Sequence, residues 1–128
     1  MASEGLHEPR ELLDTATVDR HRALVSLREE LEAVDWYDQR VLATSDPTLA
    51  AVLAHNRDEE KEHASMTLEW LRRRDAMLDQ HLRTYLFTSE PITEVEAAAE
   101  AAGGPPPAAN PVSAGTGSLG IGSLKGTE

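Results

Sequence analysis

Asp58-Glu59-Glu60-Lys61-Glu62-His63 decides how this chain folds. Glu60 and His63 stand at a spacing that puts both side chains on one face of a helix. A second acidic cluster, Glu29-Glu30-Leu31-Glu32, lies upstream. Between the two, Thr44-Ser45-Asp46-Pro47 reads as a turn. Asp46 suits a helix N-cap, and Pro47 suits the first helical position, where its missing N–H costs nothing. A connection this short makes the flanking helices antiparallel neighbours. Folding back about Ser45 is expected to set residue 30 opposite residue 60. One carboxylate facing a Glu-x-x-His pair is half of a two-metal carboxylate site of the kind built inside helical bundles.

Working outward, the segment before the turn carries no Gly or Pro from Asp14 to Ala43. Asp14, Thr15 and Thr17 are N-cap candidates. A helix of that length spans roughly 43 Å. One of its faces reads Ala23, Leu27, Glu30, Val34, Tyr37 and Val41, a seam for packing on other helices. Leu24, Leu31 and Leu42 form a neighbouring row. Glu30 occupies a seam position that a passive core would fill with Leu. The second helix is expected from about Pro47 to Arg74, with the seam Leu49, Leu53, Asn56, Glu60, His63, Thr67 and Trp70. Its ends are apolar and its middle is polar. Arg72, Arg73 and Arg74 suit a last turn, where cations complement the helix dipole. Asp75 can cap a third helix over about Ala76 to Phe87, or that segment can continue the second helix. Thr93-x-x-Glu96 reads as a capping box before a short alanine-rich helix.

The fold class is therefore all-α: an antiparallel two-helix hairpin plus a short C-terminal helix, completed to a four-helix bundle by dimerisation, with a disordered C-terminal tail. Residues 1–13 are expected to be a flexible arm and 14–96 the helical domain. Residues 97–116 form an Ala/Gly/Pro-rich linker. The segment 117–126 sets Leu119, Ile121 and Leu124 among small residues, as a docking peptide on a tether would. About 75–80 helical residues make a marginal lone core, so self-association is expected before any motif is considered.

A net charge of −11 argues against a nucleic-acid partner and favours cations. With no cysteine there is no disulfide, thiolate zinc site or redox thiol. No apolar run approaches a membrane span or resembles a signal peptide, so the expected setting is cytoplasmic, without a membrane partner.

Carboxylate and imidazole donors suit a first-row metal such as iron or manganese, with zinc also open. One chain offers Glu30, Glu60 and His63. A two-fold dimer offers four carboxylates and two imidazoles across an isologous interface. Burying Glu without a cation is costly, which favours bound metal over a bland polar layer. The bland alternative is an acidic, non-catalytic bundle that binds divalent cations or serves as an interaction module. Glu29, Glu32, Glu59 and Glu62 fit a solvated face. His55 and Asn56 lie beside or on the second seam, where packing is the commoner role. Tyr37 is open to two roles, core aromatic or hydrogen-bond donor beside a metal. Trp36 and Trp70 are most simply packing residues.

Glu29-Glu30-Leu31-Glu32-Ala33-Val34-Asp35-Trp36-Tyr37-Asp38-Gln39-Arg40 and Ala54-His55-Asn56-Arg57-Asp58-Glu59-Glu60-Lys61-Glu62-His63 together resemble the encapsulated ferritins. The similarity continues through Thr67-Leu68-Glu69-Trp70 and His81-Leu82-Arg83-Thr84-Tyr85-Leu86-Phe87, covering nearly all of 7–97. Gly117-Ser118-Leu119-Gly120-Ile121-Gly122-Ser123-Leu124 resembles the peptide that loads cargo into encapsulin shells. The resemblance implies a half-ferritin hairpin whose dimers carry a ferroxidase centre, with five dimers in a ring. It implies oxidation of Fe2+ by O2 and mineral storage inside an encapsulin nanocompartment. By position it implies iron ligands Glu30, Glu60 and His63, two irons per dimer interface, and Tyr37 beside them. Glu29 and Glu32, with Trp36 nearby, match an outer site through which iron or other divalent cations enter.

Overall fold

The computed structural model describes residues 5–103. The expected docking peptide at 117–126, with Leu119, Ile121 and Leu124, lies outside them, as does the linker beyond Gly103. The chain divides into two compact units, Met1–Leu71 and Arg72–Glu128. All regular structure among the described residues is helical, as expected for an all-α chain.

In the first unit, a single 3-10 turn at Arg10–Leu12 precedes helix α1, Thr15–Ala43. Asp14 caps α1, its carboxylate accepting the Thr17 N–H at 2.8 Å. Those hydrogen bonds, from the Thr17 side chain first and its backbone N–H next, hold the Asp14 pKa below its ordinary value. Helix α2 runs Pro47–Arg73 and begins as the turn chemistry requires. Asp46 Oδ1 accepts the N–H groups of Thr48 at 2.9 Å and Leu49 at 3.4 Å.

α1 and α2 form the antiparallel hairpin, but its register differs from the one expected. Asp38 meets Arg57 at 2.9 Å, and Glu30 meets Thr67 at 3.1 Å. The fold-back point is thus further along the chain than Ser45. Thr44, at φ −77° and ψ 143°, is already extended, so the chain crosses between the helices before α2 starts. Glu30 is therefore not level with Glu60. It pairs with a residue about 10 Å further along α2.

Two helices cannot enclose a core. Val18, Ala64 and Leu71 are the buried apolar residues of the described chain, and no side chain is fully buried. Leu24 and Leu31 are 54% exposed and Met66 59%. The seam residues Ala23, Leu27, Val34, Tyr37, Val41, Leu53 and Trp70 are only half-buried, and Leu49 is exposed. An open cleft of about 420 Å³ is lined by Ala23, Thr67 and Trp70 from the two seams, with Asp19, Arg22, Ser26 and Met66 beside them.

In the second unit, α3 (Ala76–Tyr85) is a separate helix. Asp75, at φ −142° and ψ 99°, breaks the helical run and caps α3 by accepting the Leu78 N–H at 2.9 Å. Arg74 falls in the turn, outside the last turn of α2. α4 (Ile92–Ala101) corrects the expected capping box. Pro91 is its N-cap and supplies no side-chain bond, so Thr93 already sits inside the first turn. The Pro91 carbonyl accepts from Glu94 and Val95 instead, at 2.9 and 3.0 Å. The helix continues through Ala101, beyond the boundary expected at 96/97, and Gly103 supplies the left-handed residue after its end at φ 96°.

Candidate metal centre

The three proposed ligands are half-buried residues of the first unit. Their positions follow from helix periodicity. Glu30 projects from the middle of the α1 seam, Glu60 and His63 from the middle of the α2 seam. His63 Nδ1 lies 3.4 Å from Glu60 Oε1, with the Glu60 side chain 27% exposed. This adjacency is the geometry that a Glu-x-x-His needs to present oxygen and nitrogen to one ion. On its other side, His63 Nε2 faces Glu59 Oε1 at 3.9 Å, and Glu59 Oε2 faces His55 Nε2 at 3.6 Å. An imidazole can ligate a metal through one nitrogen while a carboxylate orients the other. Glu59 is placed for that second task, with His55 on its other oxygen.

Glu30 stands apart from this pair. Its Oε1 accepts a hydrogen bond from the Thr67 hydroxyl across the hairpin. Among the described residues, no group of three or more His, Cys, Asp or Glu side chains of one chain is arranged to hold a metal ion. One hairpin therefore supplies two fragments of a donor set, a carboxylate on one helix and a carboxylate–imidazole pair on the other.

Tyr37 is half-buried on the Glu30 face, and the Arg40 guanidinium lies 5.6 Å from its ring centroid. Arg40 also lies 5.9 Å from the Trp36 ring. Glu29, Glu32 and Trp36 are exposed together on the outer side of α1. Beyond the ligand region, Asp58 and Asp38 grip Arg57 and raise its pKa further above its ordinary value. The Asp38–Arg57 bridge ties α1 to α2 at the turn end of the hairpin.

Residues 5–89 match the profile of the EncFtn-like family. The chain belongs to that family. The encapsulated ferritin-like protein of Rhodospirillum rubrum is 65% identical over 98% of this chain and 91% of its own length. The encapsulin nanocompartment cargo protein EncC of Myxococcus xanthus is 30% identical over 78% of this chain and 80% of its own. A crystal structure of a protein from Nitrosomonas europaea superposes with a TM-score of 0.67 at 61% identity, covering 69% of this chain and 97% of that one.

The EncFtn-like match spans α1, α2 and α3, so every candidate ligand falls inside it. No helix among the described residues is long and apolar enough to cross a membrane. Sequence reasoning placed Thr67 on the α2 seam but gave it no role. The signal that could have singled it out is its position one helical turn after His63, on the face that meets α1.

Proposed function

We propose that this protein is a ferroxidase that oxidises Fe2+ to Fe3+ with O2 at a di-iron centre shared between two copies of the chain. The observation that carries it is the Glu60–His63 pair, held 3.4 Å apart on a half-buried seam with a third donor, Glu30, on the partner helix of the hairpin. Carboxylate oxygens and imidazole nitrogen are the donors that iron takes, and hard oxygen donors favour the ferric product. Two chains related by a two-fold axis double the set to four carboxylates and two imidazoles. The half-buried seams are the surfaces such a dimer would cover.

In this scheme Glu30 and Glu60 would supply the oxygen donors that neutralise the two ions, and His63 would add a nitrogen donor to each. Each Fe2+ gives up one electron to O2. Tyr37 stands beside the centre as a hydrogen-bond donor. Glu29 and Glu32, exposed beside Trp36, form the outer site where Fe2+ or another divalent cation first collects. Likeness to an encapsulated ferritin-like protein and to an encapsulin cargo protein supports a further step. The chain is cytoplasmic cargo of an encapsulin shell, assembled as a ring of five dimers, and Leu119, Ile121 and Leu124 dock it to the shell wall. Several tails per ring then act together, which raises avidity without new contacts.

Aerobic Fe2+ addition tests the centre. Fe3+ absorbance should grow with the wild-type protein and fail with Glu30→Ala, Glu60→Ala and His63→Ala. Unchanged oxidation in all three leaves only the cation-binding bundle. Deleting residues 117–128 should abolish co-purification with a co-expressed shell protein and leave oxidation intact.

A further inference from the structure

The Thr67 hydroxyl lies 3.1 Å from two acceptors, Glu30 Oε1 on α1 and the His63 carbonyl oxygen one turn back on α2. A hydroxyl has one proton and can donate to only one of them at a time. The two acceptors differ in strength. Donation to an ionised carboxylate is charge-assisted and roughly twice as strong as a neutral bond. Donation to the carbonyl four residues back is the ordinary fallback of a helical threonine. The Thr67 hydroxyl therefore donates to Glu30 in preference to the carbonyl. A carboxylate has a second oxygen, so Oε1 can keep this bond while the other oxygen meets a cation.

We propose that Thr67 is a positioning residue that holds the Glu30 carboxylate against the His63 turn of α2 through Oε1, so that its second oxygen is presented to a cation. The inference rests on Glu30 being a metal ligand, as set out above. Geometry assigns the role to Thr67. Its bond to Glu30 is the hydrogen bond that joins the α1 ligand to the helix carrying the other two. The site is half-buried, so water competes less for the carboxylate than it would on an open face. Without this bond, Glu30 would sample several rotamers, and ordering it would fall to the metal.

The test uses the assembled full-length protein, with its native mass checked for every variant. Anaerobic Co2+ binding is followed by calorimetry and by the visible Co2+ spectrum, and Fe2+ oxidation is measured in parallel. Thr67→Val keeps the side-chain shape and removes the hydroxyl. It should weaken Co2+ binding roughly tenfold and raise the KM for Fe2+ more than it lowers kcat. Thr67→Ser should restore both. If Thr67→Val does not assemble, Thr67→Ala takes its place, again judged against Thr67→Ser. Glu30→Ala separates the two levels of inference. If Glu30→Ala loses the Co2+ signal while the hydroxyl-free variant binds as the wild type does, the role of Thr67 is overturned and the ligand assignment stands. If Thr67→Ser binds as poorly as the hydroxyl-free variant, the role is overturned too. If Glu30→Ala leaves Co2+ binding unchanged, the ligand assignment and the role of Thr67 fall together.

Discussion

Glu60 is a half-buried carboxylate in the polar middle of a helix face whose ends are apolar. Such a placement is unfavourable in the absence of a cation, because a partly desolvated charge keeps only part of its hydration. The Glu60–His63 contact offsets little of this unless the imidazole is protonated. Metal removal should therefore expose the cost. In chelator, Glu60→Gln is expected to unfold at the same temperature as the wild type or a higher one. With Co2+ at a hundred times its dissociation constant, the wild type should gain about 2.7 kcal/mol by mass action, and Glu60→Gln should gain almost none. Calorimetric melting with and without Co2+ reads both halves. A Glu60→Gln protein that is stabilised by Co2+ as fully as the wild type would remove Glu60 from the ligand set. The spacing alone pointed to Glu60 and His63, because helix geometry forces them onto one face. Thr67 was not legible in that way. Its hydroxyl acts across the hairpin, and a cross-helix partner depends on register, which spacing within one helix does not encode.

The elements themselves were largely legible. An unbroken run free of Gly and Pro, the Asp14 cap and the Asp46–Pro47 start define α1 and α2 by local chemistry. The register between them was not, since the extended connection at Thr44 shifts the fold-back point and so separates Glu30 from Glu60 within one chain. The start of α4 was misread because a good capping-box pattern lost to Pro91, whose fixed φ sets where the helix begins. α3 shows what local electrostatics add. Asp79 accepts from Arg83 Nε at 2.9 Å and also pairs with Arg72. The Arg83 bond first, and then the Arg72 bond, pull its pKa below the ordinary 3.8. A carboxyl whose folded pKa is lowered contributes stability above its unfolded value and loses it as pH falls through the folded one. Asp79→Asn should accordingly melt below the wild type at pH 7. The difference should shrink once pH drops under 3.8 and vanish when the wild-type carboxyl is protonated. Melting followed by far-UV circular dichroism across that range checks it, and a difference that persists in acid would mean the loss is one of packing. Because Asp79 is only half-buried and its Arg83 partner is 70% exposed, the effect at pH 7 should be small and should diminish further in high salt.

At the scale of the whole molecule, the question is why a catalytic donor set would be left in pieces. A hairpin of this size buries few apolar side chains, and its seams remain half-open. Each seam is apolar toward its ends and polar in its middle. In the proposed dimer, pairing two hairpins would surround the acidic layer with apolar packing, and the centre would form only where the bundle forms. Under the proposed reading, folding, assembly and activity would be one equilibrium, since the cation would bind the assembled state and not the separate chains. Leu53 separates the two requirements. It lies on the α2 seam, half-buried, about two turns before Glu60, and it is no candidate ligand. Leu53→Lys places a charge in the proposed dimer core while leaving Glu30, Glu60, His63 and the helix-forming tendency of α2 intact. The variant is expected to keep its helical circular dichroism, run as a monomer by native mass, and lose Fe2+ oxidation as completely as Glu60→Ala. Partial recovery at high protein concentration, in step with the dimer fraction, should follow from mass action. A helical, strictly monomeric Leu53→Lys that oxidises Fe2+ at the wild-type rate per chain would place the whole centre within one hairpin. The separation of Glu30 from Glu60 and His63 would then have to close by a movement of α1 along α2, against the Asp38–Arg57 bridge that fixes their register.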